Sequence, residues 1–92
     1  MIITSLSTFG EICKELGQRA RSRRKLLKLS RKELSQKSGI SVPTISRFEL
    51  SGVTTIGVMV KLAQAMGAVD TLDALFSPPK HRSIKEFMET EK

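Results

Sequence analysis

Residues 29–50, LSRKELSQKSGISVPTISRFEL, hold a helix start, a helix stop and a second helix start in quick succession, which leaves the chain little choice of local structure. Ser30 is followed three residues later by Glu33, the spacing of a capping box: the serine hydroxyl accepts from the Glu33 amide, and the glutamate side chain accepts from the Ser30 amide. A helix is predicted to begin there, run through Leu34 and end near Ser38, because Gly39 can take the left-handed conformation that closes a helix. After the turn Ser38-Gly39-Ile40-Ser41, Ile45 and Phe48 give a narrow apolar stripe, with Val42, Pro43, Thr44, Ser46 and Arg47 around the remaining surface. A second helix that buries so little of itself keeps a face free for a partner.

Pro43 leaves two registers for that second helix. Proline suits a first turn but drives the preceding Val42 away from helical angles. Either Ser41 caps, with its hydroxyl on the Thr44 amide, or Val42 is the cap residue and no side-chain cap exists; the added hydrogen bond favours Ser41.

The rest of the chain reads as support. Thr8 and Glu11 have capping-box spacing, and Phe9, Ile12, Leu16, Ala20 and Leu27 follow at steps of three, four or seven, which predicts a long amphipathic first helix. Gly10 and Gly17 each weaken it by roughly 1 kcal/mol relative to alanine, so its first half is expected to fray or to form a separate short helix. Beyond Leu50, SGVTT is a connector. Thr55 can cap a helix carrying Ile56, Met59, Leu62, Ala63 and Met66, with Gly67 as its stop, and the methionines are core filler at helical spacing. Asp70 is expected to cap a short turn whose Leu72, Leu75 and Phe76 close the bottom of the core. Ser77-Pro78-Pro79 ends the body. In the segment from Lys80 to Lys92, Ser83 and Glu86 again have capping-box spacing, and Ile84, Phe87 and Met88 share one side of a helix. No strand-period alternation of any length occurs. The expected fold is all-α, a compact five-helix domain over 1–77 with a short C-terminal tail helix in 78–92 for dimerisation or partner binding.

Charge placement narrows the partner. The 92 residues carry a formal net charge of +7, and from Lys14 to Lys37 ten basic residues (Lys14, Arg19, Arg21, Arg23, Arg24, Lys25, Lys28, Arg31, Lys32, Lys37) stand against Glu15 and Glu33, a net of +8. Such a run serves a polyanion only where its charges share a face; otherwise it is a solvated helix surface. No apolar run approaches the roughly 18 residues of a membrane span, and the N-terminal MIITSLS lacks the layout of a signal peptide, so a cytoplasmic protein without a membrane partner is expected. Cys13, without a second cysteine, offers neither an internal disulfide nor a zinc site. His81 stands between Lys80 and Arg82 with no nucleophilic or metal constellation, and no phosphate-cradling glycine loop is present. The expectation is therefore a non-enzyme with no cofactor, no metal and no catalytic residue. With no tyrosine or tryptophan, RNA binding lacks its stacking platforms.

Residues 16–67 resemble the Xre-type helix-turn-helix family, the DNA-binding domains of phage repressors, and within it the antitoxins of the HipB kind. The resemblance rests on the ordered set Leu16-Gly17, Arg24, Leu29-Ser30, Glu33-Leu34-Ser35, Gly39-Ile40-Ser41, Thr44-Ile45-Ser46, Phe48-Glu49 and Lys61-Leu62-Ala63-Gln64-Ala65-Met66-Gly67. It implies that Val42, Pro43, Thr44 and Arg47 face base edges in the major groove, with Ser30, Arg31, Lys32, Ser41 and Ser46 near phosphates. It further implies a structural salt bridge between Arg24 and Glu49. Three departures stand out. Arg31 replaces a usual glutamine, which strengthens phosphate attraction but loses a neutral brace for the second helix. The usual glycine after Glu49 comes one residue late, at Gly52. Val42 and Pro43 replace polar residues, so they can read only by apolar contact, such as with a thymine methyl.

The function implied is a homodimeric, sequence-specific repressor of double-stranded DNA, with two reading helices about 34 Å apart on an inverted-repeat operator, autoregulating a toxin-antitoxin operon. The alternative is an antitoxin whose main role is to bind and neutralise a kinase-type toxin protein, using Ile84, Phe87 and Met88 as helical anchors in the toxin's groove.

Overall fold

Among the described residues, four helices begin at a hydroxyl. The computed structural model describes residues 2–78, and in them the backbone forms α1 (Phe9–Leu26), α2 (Arg31–Ser38), α3 (Val42–Ser51), α4 (Ile56–Ala65) and α5 (Val69–Asp73). Thr8 accepts from the Glu11 amide at 3.1 Å and Ser30 from the Glu33 amide at 3.0 Å, and each glutamate bonds back to complete its capping box. Ser41 is the cap of α3, accepting from Thr44, and Thr55 caps α4 by accepting from Val58. Each of these bonds satisfies an amide that the first turn leaves without a helical partner. No strand occurs among the described residues.

The core is one cluster of Leu34, Ile40, Ile45, Phe48, Leu62 and Met66, with Ala20, Val58 and Ala65 packed at its edge. It is drawn from α2, the turn after it, α3 and α4, so the two short helices of residues 29–50 form its centre. α1 lies mainly on α3, and α4 mainly on α2.

α1 departs from its expected form in two ways. It is one continuous helix from Phe9, and its buried residues are Gly17 and Arg24 rather than the apolar stripe. Phe9 is 78% exposed, Leu16 and Leu27 are also exposed, and only Ala20 of that stripe packs on the core. The reason is close approach. A Cβ on Gly17 would overlap the Phe48 carbonyl oxygen and stand 3.1 Å from both the Glu49 oxygen and the Gly52 nitrogen, so the glycine is where α1 touches α3 backbone to backbone. Larger residues flanking this contact are lifted off the core. Gly52 closes α3 in the left-handed conformation, with φ 75°, and a Cβ there would overlap the Cys13 backbone.

α5 also differs. Ala68 holds its cap position without a side-chain bond, and Asp70 lies inside the first turn. Leu72 is half-buried, while Leu75 and Phe76 are exposed, so they do not close the core. Ile56, at the start of α4, is 78% exposed, since the core takes the α4 face that carries Leu62 and Ala63. The expectations for His81, Ile84, Phe87 and Met88 fall outside the described residues.

Candidate functional site

α3 has one inward side, made by Ile45, Phe48 and Glu49, all buried. At about 100° of rotation per residue, Pro43, Arg47 and Leu50 fall on the opposite side. All three are exposed, Leu50 to 62%. Val42 borders this face at 38% exposure, and Thr44 and Ser46 are half-buried at its flanks. The Ser41 hydroxyl donates to Thr44 Oγ1 at 2.8 Å while accepting from the Thr44 amide at 3.3 Å. That leaves the Thr44 hydroxyl hydrogen available to another acceptor. Arg47 Nε donates to the Pro43 carbonyl at 3.4 Å, a long bond that gives the guanidinium only a light tether.

The inward side is held by charge as well as apolar packing. Arg24 Nε and Nη2 donate to the two oxygens of Glu49 at 2.7 and 3.0 Å, and Arg24 Nη1 donates to the Leu29 carbonyl at 2.9 Å. Arg31 Nε adds a 3.1 Å bond to Glu49 Oε1, and Gln18 Nε2 donates to the Glu49 carbonyl at 3.1 Å. Burial pushes the Glu49 carboxyl up, but the hydrogen bonds from Arg24 and Arg31 and their positive charge outweigh it, so the group stays below the usual carboxylate range. The Arg24 guanidinium is raised, chiefly by its bond to Glu49. One carboxylate thus ties α1 and α2 to α3.

This network corrects the expectation for Arg31. The arginine does brace α3, through Glu49, and is only partly exposed, but it shares that one carboxylate with Arg24, so the group of three keeps a net positive charge. The basic run is divided in the same way. Arg24 is buried, and Arg19 pairs with Glu15 at 3.0 Å. Lys14, Lys25, Lys28, Lys32 and Lys37 are exposed. Of the other expected polar contacts, Ser30 and Ser41 are exposed but have their hydroxyl oxygens engaged as caps.

Among the described residues, two depressions bear on partner binding. A shallow one of about 430 Å³ is lined by Thr44, Arg47, Leu50, Ser51 and Val53, on the outward side of α3. A larger one of about 800 Å³ lies among α1, α4 and α5, with Leu16, Ala20, Met59, Leu72 and Leu75 on its apolar wall and Arg19 and Arg23 on its rim. The two share no residue. Leu50, seven residues from Pro43 and on the side opposite Ile45, borders the outward face together with Val53, although the sequence reading of that face ends at Arg47. Gln18 was missed for want of any local pattern. Among the described residues no group of three or more histidine, cysteine, aspartate or glutamate side chains could hold a metal ion, and no helix is long and apolar enough to cross a membrane.

Residues 21–73 match a family described as helix-turn-helix, a span that contains α2 through α5 and the Arg24 end of α1. No curated protein matches the chain.

Proposed function

The chain belongs to the Xre-like helix-turn-helix family of DNA-binding transcription regulators, and from that premise we propose that it is a repressor acting as a homodimer on an inverted-repeat operator, including the operator of its own toxin-antitoxin operon. One observation carries this: α3 presents Pro43 and Arg47 outward while Glu49 anchors its other side to α1 and α2. A helix so held can enter a major groove without reorganising, which keeps the ordering cost of binding low.

Val42, Pro43, Thr44 and Arg47 are the proposed base readers. Arg47 can donate to guanine O6 and N7 together, Thr44 to a single acceptor, and Val42 and Pro43 can touch a thymine methyl. Ser30 and Lys32 at the start of α2, Ser41 at the cap of α3 and Ser46 within it are the proposed phosphate contacts, with Arg31 contributing charge from its place beside Glu49. Phosphate contacts supply affinity and base contacts supply discrimination. The test is selection of bound duplexes from a random pool. A two-fold symmetric consensus with half-sites about 34 Å apart is expected; enrichment of no consensus, with binding that only weakens as salt rises, would sink the proposal.

A second function is motivated by the sequence of residues 80–92, where Ile84, Phe87 and Met88 have the spacing of one helix face and could anchor in a partner's groove. In this alternative the chain is an antitoxin that holds a toxin protein of the kinase type, with DNA binding as autoregulation. The proposed division into a DNA-binding domain (1–77) and a partner or dimer tail (78–92) bears on both. Deleting residues 80–92 separates them: an unchanged dimer that no longer holds the toxin supports the antitoxin function, and a monomer supports dimerisation.

A further inference from the structure

Leu50 is a large apolar side chain at the C-terminal end of the outward face of α3, 62% exposed. Seven residues from Pro43 and three from Arg47, it returns to nearly the same side of the helix as both. The shallow depression beside Arg47 is walled by Leu50 and Val53. The polar groups at this end are already engaged with one another: the Ser51 hydroxyl donates to the Arg47 carbonyl at 2.7 Å and accepts from the Val53 amide at 3.1 Å. These two bonds also fix Val53 beside the end of α3. At the end near Leu50 the depression therefore presents hydrocarbon next to one guanidinium, with the Thr44 hydroxyl as its polar group at the other end.

We propose that Leu50, with Val53 beside it, is a specificity-determining residue that receives the 5-methyl group of a thymine neighbouring the base read by Arg47. The proposal rests on the DNA-reading function given above. Leucine neither donates nor accepts, so it has nothing to offer a phosphate or a polar base edge, and the thymine methyl is the apolar group that a base edge exposes in the major groove. Three residues advance a helix by about 4.5 Å, somewhat more than the roughly 3.4 Å between successive bases of a strand, so the span from Arg47 to Leu50 is long enough to reach a base pair beside the one that Arg47 reads. Arg47 and Leu50 then read a two-base step, one by hydrogen bonds and the other by methyl contact.

The experiment uses the full chain and the duplex selected from a random pool. Each thymine is replaced in turn by deoxyuridine, which removes only the methyl, and affinities are measured for the wild-type protein and Leu50→Ala. For the wild type, one thymine in each half-site loses about four-fold on replacement, the value of one buried methyl group. Leu50→Ala binds the thymine and uracil duplexes equally at that position and keeps the wild-type response at every other. Unchanged thymine preference in Leu50→Ala, no response to uracil at any position, or a selected half-site without thymine overturns the proposal and leaves the DNA-reading function standing. Failure of the wild type to prefer any duplex over random DNA overturns both. Because Leu50 is exposed, the circular dichroism melt of Leu50→Ala should match that of the wild type, so a loss of methyl reading is not a loss of fold.

Discussion

The Arg24 guanidinium meets the Glu49 carboxylate in two hydrogen bonds of 2.7 and 3.0 Å, although 25 positions of chain separate them. Side-chain exposure is 8% for the arginine and 2% for the glutamate, so each is the other's chief counter-charge. Removing one member of such a pair strands the other in a poorly solvated site. Glu49→Ala is expected to lower unfolding free energy by roughly 3–5 kcal/mol. Urea unfolding measures this. A loss below about 1 kcal/mol, the level of an exposed pair, would show that the pair does not secure α3.

The same carboxylate gives stability a pH dependence whose sign is fixed. The Glu49 pKa is lower folded than unfolded, so the folded state keeps the charged form longer as acid is added. Its contribution is full above the ordinary value of 4.5 and is lost as pH falls from there through the folded value. Glu11 and Glu33 are lowered as well, chiefly by hydrogen bonds from the Thr8 and Ser30 backbones, and act in the same direction. Melting temperature is thus expected to fall below about pH 4.5. In Glu49→Gln the decline should be shallower, because the principal titrating group is gone. Parallel curves for the two proteins would contradict the assignment.

The α2–α3 unit was legible in the sequence because each of its boundaries is a local event: Ser30 with Glu33, the left-handed Gly39, and Ser41 on Thr44 all act within a few residues. The α1 packing was not. Its contact with α3 is made by Gly17, and a glycine reads as a weak point in a helix until the neighbouring backbone is known to lie against it. Likewise, Arg31 looked like free positive charge because its partner, Glu49, comes from another helix. The misjudged Leu75 and Phe76 have a related cause, since helical spacing gives a shared face and not what that face meets.

Two glycines in α1 should respond oppositely to alanine. At Gly10 a Cβ meets nothing within 4 Å, so Gly10→Ala is expected to stabilise by up to about 1 kcal/mol through helix propensity. At Gly17 the overlap with Phe48 outweighs that gain, and Gly17→Ala should destabilise by about 1–3 kcal/mol, the usual cost of overpacking. Thermal unfolding of the two variants checks the signs.

Arg31 and Lys32 are neighbours with different work. Lys32 is exposed, so Lys32→Ala should leave stability within about 0.5 kcal/mol while reducing the salt slope of DNA binding by about 1. Arg31→Ala removes a Glu49 partner as well and should lower both stability and affinity. Comparable stability losses for the two would refute the bracing role of Arg31.

Arg47→Ala should cost about 1–3 kcal/mol on the selected operator and much less on random DNA, which relaxes specificity rather than removing binding. Competition titrations with both duplexes measure the ratio. Equal losses on the two would place Arg47 among the phosphate contacts.

Gly17 against Phe48 and Gly52 against Cys13 are two points of contact between the same pair of segments, four residues apart along α1. A single contact lets two rods pivot; two fix their angle. The angle between α1 and α3, and with it the outward aim of Arg47, is therefore set by two glycines and not by the apolar side chains of α1.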